Sequence, residues 1–152
     1  MCVADSLFAH GISQPDKAAV IADGRRLTYG NFAAASASLA TSLVAAGIGL
    51  GERVLVFMDN RAEAAIAIYG ALASGAVFSP INPSTKADKL AYLLDNCGAS
   101  AVLTEARLYP VIAEAMAISG RRPLIWSTAD RAGSCPLGAL RFEDALTAAA
   151  VT

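Results

Sequence analysis

Between residues 26 and 126, short apolar runs alternate with helix-like stripes, and this alternation constrains the fold more than any other feature. The runs cover residues 53–58, 77–81, 101–104 and 124–126. Each is too short for a helix, and the first three are followed by stretches with three- and four-residue apolar spacing. Phe32, Ala35, Leu39, Leu43 and Ala46 mark one helical face, and Leu90, Leu93, Leu94 and Cys97 mark another. Gly47 and Gly98 follow these two stripes and supply left-handed stops. A strand–helix–strand series calls for right-handed crossovers, so the expected fold is α/β: a mostly parallel sheet with helices on both faces.

The amino-terminal part reads differently. Residues 18–23 and 26–29 flank Asp23-Gly24, a pair suited to the positive φ angles of a tight turn, so the sheet is expected to begin with a β-hairpin. Thr28 is a candidate N-cap for the first long helix. Asn60-x-x-Glu63 and Thr85-x-x-Asp88 have capping-box spacing, which would satisfy the first free amides of two further helices. Ala65, Ile66, Ile68, Tyr69 and Leu72 make the helix ending near Ser74 apolar almost all round, as burial on more than one side requires. Leu108, Val111, Ile112 and Ala115 form another stripe, with Pro110 tolerable only in its first turn. Residues 124–126 read as the last strand, residues 127–137 as surface loop and residues 141–150 as a short final helix.

Several function classes are excluded on composition. Twelve basic residues balance thirteen acidic ones, leaving no net field to attract nucleic acid. The uncharged stretches 27–51 and 64–85 are long enough to span a bilayer but are broken by polar residues, glycines and prolines, so no membrane span is expected. Cys2, Cys97 and Cys135 are odd in number and far apart, which argues against a disulfide framework or metal cluster and fits a reduced cytoplasm. With 152 residues and 55% hydrophobic content, one real core is expected.

No catalytic group stands out. Gly47-x-Gly49-x-Gly51 follows a helix and precedes a strand, the reverse of a dinucleotide-binding turn, so no helix N-terminus would face a phosphate. His10 is the single histidine, with no evident partner, and reads as a surface or capping residue. No serine sits in a Gly-x-Ser-x-Gly elbow, and Ser36, Ser38 and Ser42 read as helix-surface or packing residues. Cys97 belongs to an apolar stripe and reads as a small hydrophobe. Residues 82–86, Asn-Pro-Ser-Thr-Lys, join a strand end to a helix start, where α/β proteins tend to bind ligands; a plain connection is the equal alternative.

Taken in order, a set of short pieces carries a resemblance. They are Leu27-Thr28-Tyr29, Ala46-Gly47-Ile48-x-x-Gly51-Glu52-Arg53-Val54, Asn60-x-x-Glu63, Ser74-Gly75-Ala76-Val77, Pro80-Ile81-Asn82-Pro83 and Leu90-x-Tyr92-x-Leu94. Together they resemble the AMP-forming acyl-CoA synthetases. The resemblance implies a two-step ligase, in which a carboxylate attacks ATP to give an acyl-adenylate and a thiol such as coenzyme A then displaces AMP. ATP, magnesium and coenzyme A are implied as cofactors of such a parent enzyme, and none is expected on these 152 residues alone.

In that family the phosphates are held by a Ser/Thr/Gly-rich loop ending in Pro-Lys-Gly, followed by acidic and aromatic motifs and a lysine in a mobile C-terminal domain. None of these occurs here, so residues 1–152 are expected to be the N-terminal subdomain, inactive alone, whether by truncation, proteolysis or a split gene. Its expected partner is the remainder of the parent ligase, with self-association through exposed apolar surface if that remainder is absent. The resemblance assigns no catalytic or metal-binding residue. Asn82-Pro83 resembles the coenzyme A ligases more than the peptide-synthetase adenylation domains, which commonly carry Asp-Pro. Some coenzyme A ligases place an arginine directly after that pair; here Ser84 follows, and Ser84 and Lys86 are the candidate cofactor-binding residues. The competing account is a free-standing, non-catalytic interaction module of the same fold. Asn31 stands where Glu often completes a capping box with Thr28, which should weaken that helix start slightly.

Overall fold

The structure, a computed structural model, describes residues 2–147. Helix α1 (Val3–Ser13) leads into a hairpin of β1 (Ala18–Ala22) and β2 (Arg25–Thr28). Helix α2 (Tyr29–Ala45) follows, and then β3 (Arg53–Phe57), α3 (Ala62–Ser74), β4 (Val77–Pro80), α4 (Ala87–Cys97) and β5 (Ala101–Thr104). A 3-10 turn (Ala106–Leu108), α5 (Tyr109–Ser119), β6 (Leu124–Ser127), β7 (Leu140–Arg141) and α6 (Phe142–Thr147) complete the described chain. Residues 148–150 of the expected final helix lie outside the described residues.

The main sheet has the order β4-β3-β5-β6-β7, and every neighbouring pair runs parallel. Alternation along each strand sorts its side chains between two cores. Val54 and Val56 meet Leu39, Leu43, Ile66 and Phe142 on the face covered by α2, α3 and α6. Leu55 and Phe57 meet Leu90, Leu94, Leu108 and Ile112 on the face covered by α4 and α5. The doubly covered parallel sheet is therefore the observed fold.

Local chemistry explains most boundaries. Asp23 (φ 51°) and Gly24 (φ 69°) form the turn that joins β1 to β2, as their sequence pattern requires. Thr28 caps α2, its Oγ1 accepting the Asn31 amide at 3.2 Å. Gly75 and Gly98 end α3 and α4 in the left-handed region. Pro110 falls in the first turn of α5, where a missing amide costs nothing.

Four expectations need correction. The hairpin is a separate two-stranded sheet, because β1 and β2 pair only with each other. Helix α1 precedes it and buries only Ala4 and Leu7, too thin a stripe to stand out as a pattern. Neither proposed capping box forms: the N-caps of α3 and α4 are Arg61 and Lys86, and neither makes a side-chain cap. Glu63 instead accepts hydrogen bonds from two arginines. Trp126 is not in the last strand, because β7 adds two residues beside β6.

The serines of α2 also have particular roles. Ser38 and Ser42 donate to the Ala145 carbonyl at 2.9 and 3.3 Å, satisfying an end group of the short α6. Ser36 is fully buried and its Oγ has no hydrogen-bond partner. An unsatisfied hydroxyl of this kind costs about 1–3 kcal/mol.

Candidate functional site

The order of the strands determines where a ligand could sit. From β3 the chain turns onto one face and reaches β4; from β5 it turns onto the other face and reaches β6. The two exits diverge at the carboxyl ends of β3 and β5, the topological switch point where open α/β sheets bind ligands. A cleft of about 980 Å³ lies there. Its walls are Arg61 after β3, Glu105 and Arg107 after β5, residues 128–131 and 134–136 after β6, and Asp23 from the hairpin turn.

These walls are tied by charge. Glu105 is buried; its Oε2 accepts the Asp59 amide at 2.8 Å, and its Oε1 lies 3.5 Å from Arg107 Nε. Arg107 also donates to Asp59. That hydrogen bond, reinforced by the Asp59 and Glu105 charges, raises the pKa of Arg107 above the usual guanidinium range. Across the cleft, Glu63 is almost buried and accepts from Arg25 Nη1 at 2.6 Å and Arg61 Nε at 2.8 Å. Burial alone would raise the Glu63 pKa, but the two arginines overcome that and hold it below the usual carboxylate range. Burial likewise opposes the charge of Arg61, yet Glu63 keeps its pKa above the ordinary value.

Beyond β6, the loop is rigidified by Asp130, whose Oδ1 accepts the Ala132 and Ser134 amides, both at 2.9 Å. Cys135 lines the same wall, but burial pushes its thiol pKa up and the Glu143 charge adds to the effect, so it is a poor nucleophile at neutral pH. Among the described residues, no group of three or more His, Cys, Asp or Glu side chains could hold a metal ion.

Ser84 and Lys86 lie outside this cleft, in the loop leaving the edge strand β4. The Asn82 Oδ1 accepts both the Ser84 amide at 2.9 Å and the Ser84 hydroxyl at 2.7 Å, so the Ser84 proton is already used. Lys86 is exposed at the N-cap of α4, with Asp88 in the first turn beyond it. One exposed ammonium beside free helix amides suits an anionic group such as a phosphate, though Asp88 weakens that field. Gly47 and Gly51 precede β3 and not a helix, and the described residues offer no metal cluster.

His10 stacks on Tyr29 with centroids 5.2 Å apart, and its Nδ1 lies 2.7 Å from the Ser6 carbonyl, so it packs α1 against the start of α2. Cys97 packs against the α4–α5 core. Sequence reasoning missed Arg61, Glu105, Arg107 and Thr128. The available signal was positional: each lies one to four residues beyond a strand's carboxyl end. No helix among the described residues is long and apolar enough to cross a membrane.

A doubly wound domain with a polar cleft at its switch point defines an architecture shared by many activities. Comparison with known proteins narrows it: the model of the AMP-binding enzyme family matches residues 7–137, and the chain belongs to that family. Tyrocidine synthase 3 of Brevibacillus parabrevis is 38% identical over 98 residues, covering 64% of this chain and 2% of its own length. A benzoate CoA ligase from Burkholderia xenovorans LB400 superposes with TM-score 0.85 at 26% identity, over 97% of this chain and 28% of that one. A putative long-chain-fatty-acid CoA ligase from Rhodopseudomonas palustris gives TM-score 0.83 at 26% identity, over 95% and 36%. This chain thus spans about a third or less of each of these relatives. Its likeness extends both to a solved nonribosomal peptide synthetase and to coenzyme A ligases.

Proposed function

We propose that residues 1–152 act as the N-terminal subdomain of an acyl-activating ligase and are inactive without the rest of it. The reaction of the whole enzyme is then the attack of a carboxylate oxygen on the α-phosphorus of ATP, forming an acyl-adenylate and releasing pyrophosphate. A thiol of coenzyme A or of a carrier subsequently attacks the acyl carbon and displaces AMP. ATP supplies the leaving group that a carboxylate lacks. The contribution of this chain is scaffold: it sets out a parallel sheet and the loops at its carboxyl end.

The observation that carries this reading is the family match over residues 7–137 on a sheet superposable with a coenzyme A ligase. The 152-residue chain, incubated with ATP, magnesium, labelled pyrophosphate and a panel of carboxylic acids, should give no exchange above buffer. Robust exchange would overturn the proposal.

Lys86 and Ser84 are proposed to meet an anionic part of the thiol cofactor. Because Ser84 already donates to Asn82, Lys86 carries the larger share. In the ligase containing this subdomain, Lys86→Ala should raise the KM for coenzyme A severalfold and leave ATP–pyrophosphate exchange unchanged. Equal KM values for the two forms would remove Lys86 from the site.

A further inference from the structure

We propose that the hairpin turn, residues 23–25, is a latch on the cleft mouth, held shut by the Arg25–Glu63 ion pair. The two ends of the hairpin are held by different means. Toward its base, Ala19, Val20 and Leu27 pack against the core shared by α2 and α3. At the tip, Asp23, Gly24, Arg25 and Arg26 are all exposed, and Asp23 forms part of the cleft wall. Among the described residues, Arg25 makes the one side-chain bond that joins this tip to the body, to Glu63 Oε1 at 2.6 Å.

The receiving end is fixed. Glu63 is 8% exposed on α3, and its other oxygen takes Arg61, a second residue of the cleft wall. Arg61 Nη1 also reaches Thr128 Oγ1 at 3.5 Å, on the far side of the cleft. One carboxylate thus clamps a wall residue with one oxygen and the hairpin tip with the other.

The two arms differ in exposure. The Arg25 side chain is 55% exposed and that of Arg61 26%, so dissolved salt screens the outer arm more than the inner one. Loss of the outer arm leaves the tip with the longer-range attraction of Asp23 to Arg61 as its remaining charge tie, and no main-sheet strand pairs with β1 or β2. The tip then swings on its packed base and widens the mouth, while the inner wall stays in place. This inference concerns the geometry of the cleft and does not depend on the proposed activity.

Pulsed electron–electron resonance on the full 152-residue chain tests it. Nitroxides would be placed at Arg26→Cys on the hairpin and Arg131→Cys on the opposite wall, with Cys2, Cys97 and Cys135 replaced by alanine. The parent should give one narrow distance. Arg25→Gln should add a longer, broader component, and so should raising sodium chloride from about 0.05 M to about 0.5 M, across which the screening length falls severalfold. Salt should not change the Arg25→Gln distribution further. Arg25 is exposed, so this variant should fold, as circular dichroism would verify, and the salt series on the parent is a second, mutation-free test. An Arg25→Gln distribution identical to that of the parent would overturn the latch.

Discussion

Leu39→Ala should destabilise the chain by about 3 kcal/mol, the middle of the range for a buried leucine. Gly70→Ala should cost about 1–2 kcal/mol. The double variant should cost clearly less than the sum. Leu39 is fully buried on α2, and a Cβ built on Gly70 of α3 would sit 2.5 Å from Leu39 Cδ2, 2.8 Å from Cγ and 3.0 Å from Cβ. Gly70 is therefore the hole into which Leu39 fits where the two helices meet. Alanine gains about 1 kcal/mol of helix propensity over glycine, so the net penalty at Gly70 reflects the clash after that gain. Once Leu39 is truncated, the two closest contacts vanish and the new methyl partly fills the cavity. A coupling of about 1–2 kcal/mol is expected for such directly touching residues. Urea unfolding of the four proteins checks it, and strict additivity would show that the helices move apart instead of sharing this contact. At about 2–4 °C per kcal/mol for a chain of this size, Leu39→Ala alone should lower Tm by roughly 6–12 °C.

That contact also shows which parts of the fold could be read in advance. Leu39 and Leu43 announced the buried face of α2 by spacing alone, and Val54 to Phe57 announced a strand buried on both sides. Such signals are local, since periodicity needs only a few neighbouring residues. Strand β7 left no comparable trace: Leu140 and Arg141 form a strand because Trp126 and Ser127 lie beside them, and two residues have no period. The capping boxes failed for a related reason. Asn60 and Glu63 have the right spacing, but two arginines, one of them 38 residues away on the hairpin, take the carboxylate from the helix amides. The cleft was invisible on the same ground. Asp23, Arg61, Glu105 and Thr128 meet only after the strand order brings β3, β5 and β6 together. Residues 82–86 were conspicuous as a strand-to-helix loop, yet β4 lies at the sheet edge and the switch point falls between β3 and β5.

Glu63 should make the stability of this chain fall in acid in a way that a single substitution removes. Its pKa is lowered on folding, so the unfolded chain takes up the proton first as pH decreases. The ion-pair stabilisation is then fully present above the ordinary glutamate value of about 4.3. It is lost progressively as pH drops through the lower folded value. Hydrogen bonds to a charged partner contribute about 1.5–3 kcal/mol each when shielded. The Arg25 side chain is more than half exposed, so its arm is discounted heavily, and most of the effect belongs to Arg61. Glu63→Gln keeps the shape, removes the charge and leaves Arg61 partly buried without its carboxylate, for an expected loss of about 2 kcal/mol at pH 7. Urea midpoints of the two proteins should differ by a constant amount from about pH 5 upward, where the carboxyl is ionised in both states, and converge as pH falls through the lowered folded value. Parallel midpoint curves across the whole range would mean that the Glu63 charge contributes nothing to folding. The two arginines would then meet a carboxylate that matters for its shape alone.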